Sequence, residues 1–146
     1  MERVRVELSQ HFSFTARIPV RITDVNYGGH VGNDTILSIM QEARMQYLMH
    51  FGYTELDFAG VGLIMSDVTI EFKNELFYGD TVNASVAAGE FSKVSFNLYY
   101  NLEKESKDGK HTPVAFAKTG MVCFDYNKKK ITSVPGEAKT RLLKND

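Results

Sequence analysis

Between Asp24 and Asp34 the chain reads DVNYGGHVGND, which places two acids, two asparagines, three glycines and a histidine at one bend. A carboxylate takes up protons, an imidazole gives or takes one near neutral pH, and an amide orients its neighbours. Gly28 and Gly29 permit a tight turn, and a helical pattern opens at Asn33 and Asp34. A helix start offers unpaired backbone N–H groups and a partial positive charge, which stabilise an oxygen that gains negative charge during reaction. Asn26, His30 and Asp34 beside it supply an orienter, a proton donor and a base, and Glu42 follows a little over two turns further on, on roughly the same face. Together these groups suit attack of water on a carbonyl carbon. Each also has a structural reading: Asp34 as a helix cap, Asn26 as a turn residue, His30 as a hydrogen-bonding residue, Glu42 as a partner of Arg44. The functional case rests on their convergence.

Other chemistries find less support. His11, His30, His50 and His111 are scattered without ligand spacing, so no metal site is expected. There is no GxSxG elbow, P-loop or dinucleotide fingerprint. The formal net charge of −1 gives no steering toward nucleic acid or an anionic membrane. Cys123 is the single cysteine and points to a reducing compartment. No apolar run approaches the roughly 20 residues that cross a bilayer, and MERVRVELSQ lacks a signal-type stretch. A cytoplasmic location is the expectation.

These residues need elements to hold them. In FSFTARIPVRIT, Phe12, Phe14, Ala16, Ile18, Val20 and Ile22 alternate with polar residues, which predicts a half-buried strand, with Pro19 at an edge or bulge. If the extended form persists, Asp24 and Asn26 continue its core-facing register. From Asn33 the period lengthens. Ile36, Met40, Ala43, Tyr47 and Phe51, widened by Leu37, Ile39 and Leu48, predict a helix of about five turns, capped by Asn33 or Asp34 and ended by Gly52. SDVTIEF, TVNASVAA, KVSFNLYYNLE and PVAFAKTGMVCFDY then read as strands. Turns at Gly79-Asp80, Gly89 and Asp108-Gly109 suggest hairpins and an antiparallel sheet. Residues 135–143 suit a short helix, and Lys128 to Lys130 a solvated turn. With no repeat or linker, residues 1–146 form one α+β domain, a long helix wrapped by a twisted antiparallel sheet. Tyr99, Met121 and Ala117 are assigned to the face away from the helix, and some of that face, with an edge strand, is expected to meet a second copy.

The stretch RITDVNYGGHVGNDTILSIMQEAR resembles the signature of hotdog-fold acyl-CoA thioesterases of the 4-hydroxybenzoyl-CoA thioesterase type. That pattern runs R-x-x-D-x-D, then G-H-V-x-N, then E-A-R, matched here by Arg21, Asp24, Gly29, His30, Val31, Asn33, Glu42, Ala43 and Arg44. A second stretch, IEFKNELFYGD, resembles the family's strand entering a G-D turn. The resemblance implies a hotdog fold with five or six strands and a homodimer or dimer of dimers with active sites at the subunit boundary. It also implies hydrolysis of a fatty or aromatic acyl thioester, on coenzyme A or a carrier protein, to free acid and thiol without metal or organic cofactor. One departure matters. The family's second aspartate, its usual base or nucleophile, is Asn26 here, and a neutral amide cannot accept a proton at pH 7. The carboxylate must come from elsewhere: Asp34 first, Glu42 second, Asp67 a distant third. The candidate catalytic set is Asn26, His30, Asp34 and Glu42, with the backbone N–H of Asn33 facing the thioester oxygen. Met40, Tyr47, Leu63, Ile64 and Met65 are candidates for an acyl pocket, and Lys73 and Lys93 for the phosphates of coenzyme A. The rival readings are an enoyl-thioester hydratase or dehydratase using Asn26 and His30, and a non-catalytic acyl-thioester-binding protein.

Overall fold

The structure, a computed structural model, describes residues 2–106 and 108–144. Its elements in chain order are β1 (Phe14–Pro19), α1 (Asn33–His50), β2 (Gly62–Phe72), β3 (Thr81–Gly89), β4 (Ser95–Glu105), β5 (His111–Asp125), β6 (Lys130–Ile131) and α2 (Gly136–Leu143). The strands form one antiparallel sheet in the order β1-β3-β4-β5-β2, with β6 added to β5. This is the hotdog arrangement, a long helix laid against a six-stranded sheet.

The apolar stripe of α1 explains its placement. Ile36, Ile39, Met40, Ala43, Tyr47 and Leu48 are all buried, against Val82, Val86, Phe96, Leu98, Tyr100 and Leu102 among others. Leu37, grouped with that stripe by sequence, is instead 38% exposed. At the far end of α1, Gly52 takes a φ of +86° just past the last turn, and Arg141 of α2 donates to Phe51 O at 3.0 Å. Cys123 lies buried as a free thiol, and burial pushes its pKa up to about 11.

Four expectations are corrected. The first strand stops at Pro19, and a 3₁₀ turn at Ile22–Asp24 breaks the extended register before Asp24 and Asn26. Its cause is local: Asp24 Oδ2 accepts from Arg21 N at 2.8 Å and closes the turn. Second, α1 is capped by Gly32, with no side-chain cap, so Asn33 and Asp34 occupy the first turn itself. Third, Met121 and Ala117 point into the core, 1% and 0% exposed, because their register partners Phe96 and Tyr100 face α1. Tyr99 does face away but is buried, packed beside Gly89 and Gln10 of the N-terminal arm. Fourth, β2 and β3 are no hairpin. A tight turn does form at 77–80, with Asp80 Oδ2 accepting from Phe77 N at 2.9 Å, but residues 73–76 first carry the chain across the end of the sheet. Lys73 N reaches Val114 O at 2.8 Å, and Leu76 O accepts from Val31 N at 2.9 Å. That crossover brings a second segment against the start of α1.

Candidate active site

The bend is built on backbone. Asn26 N donates to His30 O at 2.8 Å and Gly29 N to Asn26 O at 3.0 Å, which folds residues 26–30 into a closed turn. Gly29 sits there at φ +81°, a conformation that a side chain would strain. Asn26 Oδ1 accepts from Gly28 N at 2.9 Å, so half of its amide serves the turn. Its Nδ2 looks toward Gly32. A Cβ at Gly32 would lie 2.6 Å from Asp34 Oδ1 and 3.9 Å from Asn26 Nδ2, so the Asp34 carboxylate and the Asn26 amide share the space above this glycine.

The first hydrogen bonds of α1 run from Thr35 N and Ile36 N to Gly32 O, at 3.1 and 3.2 Å. The N–H groups of Asn33 and Asp34 precede them and have no acceptor within the helix. Asn33 and Asp34 are both exposed. Asn33 borders a cleft of about 190 Å³ with His30, Ile36, Phe72, Lys73 and Glu75. The helix start is therefore open rather than plugged by the protein's own side chains.

His30 is fixed from the crossover. Its Nδ1 lies 3.0 Å from Glu75 Oε2, and its ring packs on Phe77 with centroids 5.3 Å apart. The Nδ1 contact is off the line of a good hydrogen bond, so it is a close approach rather than a directed bond. The other edge of the ring turns to the bend: a Cβ at Gly28 would lie 3.0 Å from His30 Cδ2 and 3.6 Å from His30 Nε2. Lys104 steadies the same segment, donating to Glu75 O at 2.8 Å and resting over the Phe77 ring.

Asn26, His30, Asn33 and Asp34 thus gather at the bend, whereas Glu42 does not join them. It lines a separate cleft of about 400 Å³ between β1 and α1, with Arg17, Arg21 and Asp24, and accepts from Gln46 Nε2 at 2.8 Å. Asp67 lies over Gly120 and accepts from Ser66 Oγ, away from the bend. Lys73 stands in the helix-start cleft, paired with Glu71 at 2.7 Å. Lys93 sits in the β3–β4 turn, where its carbonyl holds Val134 N, at the opposite end of β3 from the 77–80 turn. Met40, Tyr47 and Leu63 belong to the core, while Ile64 and Met65 are 39% and 41% exposed on β2.

Arg44 is buried in α1. It pairs with Glu55 and donates from Nη1 to Tyr100 OH at 3.1 Å, and Tyr100 OH meets Thr119 Oγ1 at 2.7 Å. Burial opposes the charge on Arg44, but Tyr100 and Glu55 outweigh it and hold the pKa above the ordinary arginine value. Glu42 therefore is not the partner of Arg44. Sequence reasoning missed Glu75 and Phe77. Their stretch resembles a strand entering a turn in sequence, and only the crossover shows that it reaches His30.

Among the described residues no cluster of three or more His, Cys, Asp or Glu side chains suits a metal ion, and no helix is long and apolar enough to cross a membrane. The sequence pattern of the thioesterase-like superfamily matches residues 20–142. The chain belongs to that superfamily. A protein of Aquifex aeolicus, provisionally assigned as an esterase, is 25% identical over 126 residues, which cover 85% of this chain and 93% of its own. A solved 4-hydroxybenzoyl-CoA thioesterase, an aspartate-to-asparagine mutant holding 4-hydroxybenzoyl CoA, superposes with a TM-score of 0.80 at 16% identity, covering 88% of this chain and 97% of the other. A 1,4-dihydroxy-2-naphthoyl-CoA thioesterase of Synechocystis does so with a TM-score of 0.77 at 20% identity, covering 89% and 95%. At such identities the two solved structures are likenesses of fold.

Proposed function

We propose that this member of the superfamily hydrolyses an acyl thioester at the start of α1, releasing a carboxylic acid and a thiol. The observation that carries the reading is the open first turn of α1. Two unsatisfied backbone N–H groups and the helix dipole meet an ionisable carboxylate, Asp34, within one turn. The thioester oxygen sits on the N–H of Asn33. Asp34 takes a proton from water, whose oxygen attacks the carbonyl carbon. The tetrahedral oxyanion collapses, the C–S bond breaks, and the thiolate leaves to be protonated. Asn26 Nδ2, above Gly32, orients the water, and His30, held by Glu75, stands by the leaving group.

The solved relatives named for acyl-CoA hydrolysis support coenzyme A as the carrier. Lys73 in the same cleft offers a charge for its phosphates. The edge strand β2 suits a second copy of the chain. Ile64, Met65, Val68 and Phe72 are between 36% and 47% exposed along it, and an uncovered apolar edge favours pairing. A homodimer in the cytoplasm is the working picture. The direct test is thiol release and acid formation from saturated acyl-CoA thioesters of graded length and from aryl-CoA thioesters. Turnover of saturated substrates supports hydrolysis. No thiol from any of them, with binding retained, overturns it.

A further inference from the structure

The cleft of about 400 Å³ between β1 and α1 is not used by the proposed hydrolysis, and no residue that lines it also lines the helix-start cleft. β1 and β2 stand at opposite ends of the strand order, so this cleft lies at the other edge of the sheet from the one suited to a second copy. Ile18, Pro19 and Ile39 give it an apolar floor. Ser38, Glu42 and Gln46 of α1 follow at steps of four residues and so form one polar wall, with about 6 Å of rise between neighbours. Arg17 of β1 and the Arg21–Asp24 turn complete the lining.

Two opposite charges line this space without meeting. Arg21 is turned to Asp24, at 3.4 Å. Among the described residues Arg17 pairs with no acid and Glu42 with no cation. Glu42 Oε2 accepts from Gln46 Nε2 at 2.8 Å, which leaves Oε1 for another donor. The backbone adds a group. Val20 N donates to Asp80 O at 2.9 Å, and Ile18, two residues earlier, keeps the same register opposite Val82, so the backbone groups of both turn toward β3. By alternation those of Arg17 and Pro19 turn to the free edge of β1. Pro19 has no N–H, which leaves that of Arg17 as the donor there. A lone carboxylate would satisfy Arg17 but meet Glu42, and a lone amine would satisfy Glu42 but meet Arg17. A molecule with both charges on one carbon satisfies both walls, and an aliphatic side chain covers the floor.

We propose that the cleft between β1 and α1 binds an aliphatic α-amino acid, with its carboxylate on the side chain and backbone N–H of Arg17 and its ammonium on Glu42. The site is independent of the thioester reading, and its test reads binding rather than thiol release. The wild-type protein is titrated calorimetrically with L-leucine and with two relatives that each lack one charge: 4-methylpentanoate, without the ammonium, and isoamylamine, without the carboxylate. Leucine is expected to bind at millimolar concentration and each relative about tenfold more weakly, as loss of one charge-assisted hydrogen bond gives. The variants are Arg17→Gln and Glu42→Gln, both at exposed positions, with thermal melting to confirm the fold. Arg17→Gln should bring leucine level with isoamylamine, and Glu42→Gln should bring it level with 4-methylpentanoate. No binding of leucine to the wild-type protein overturns the site. Equal binding of leucine and either relative overturns the need for both charges. A preference that the matched variant keeps in full overturns the assignment to Arg17 and Glu42.

Discussion

Gly32→Ala separates the position of Asp34 from its charge. Gly32 caps α1 at φ −70° and ψ 160°, which alanine also adopts, so the backbone is not strained. The new Cβ would lie 2.6 Å from Asp34 Oδ1, against an ordinary contact of about 3.5 Å. The carboxylate must retreat by about 1 Å, while Asn26 Nδ2, at 3.9 Å, is undisturbed. A misplacement of that size costs about a hundredfold in rate. Loss of stability stays near 1 kcal/mol or below, the scale of a changed helix cap. Gly32→Ser carries the same Cβ and adds a capping hydroxyl, so it should regain the stability without regaining the rate. The assay is steady-state thiol release from the best acyl-CoA, beside thermal melting. Both variants are expected to lose about two orders of magnitude in kcat with little change in Tm. Full kcat in both, with the fold intact, would refute the idea that the carboxylate works from its place above Gly32.

Arg44→Met removes the partner of Glu55 and Tyr100 from a buried network and should cost about 3 kcal/mol, read as a drop of roughly 10 °C in Tm. An unchanged Tm would show that the network contributes nothing. Cys123 is pushed up to about 11 from 9 by burial, so the folded state holds its proton more tightly than the unfolded chain. Its contribution to stability is therefore complete below pH 9 and lost as pH rises toward 11, and a Cys123→Ala variant should show a smaller loss of stability over that interval in denaturant titrations. Val68→Glu places a charge on the half-exposed edge of β2 and should convert the proposed dimer to monomer by light scattering, and a dimer that persists would move the interface elsewhere.

Periodicity made much of this fold legible. The alternation in TVNASVAA and KVSFNLYYNLE predicted β3 and β4, and the spacing from Ile36 to Tyr47 predicted α1, because both depend on local burial. What failed depended on distant partners. Met121 and Ala117 were misassigned since β5 carries apolar residues on both faces, and only its pairing with β4 decides which face is core. The β2–β3 connection looks like a hairpin in sequence because Gly79 and Asp80 do make a turn, yet residues 73–76 before it carry the chain across the end of the sheet. At the site, chain neighbours of the bend were recognisable: Asn26, His30 and Asp34 do meet there. Glu42 shares α1 with Asp34 but faces another cleft, and Glu75 reaches His30 only through the crossover at residues 73–76.

We propose that the Asp34 carboxylate beside the first-turn N–H groups of α1 activates water against a thioester. The most direct measurement compares kcat and KM for acyl-CoA hydrolysis in the wild-type protein and in Asp34→Asn, which keeps the shape and removes the base. A fall in kcat of about a hundredfold or more is expected, with KM nearly unchanged. An Asp34→Asn protein that turns over at the wild-type rate would contradict it.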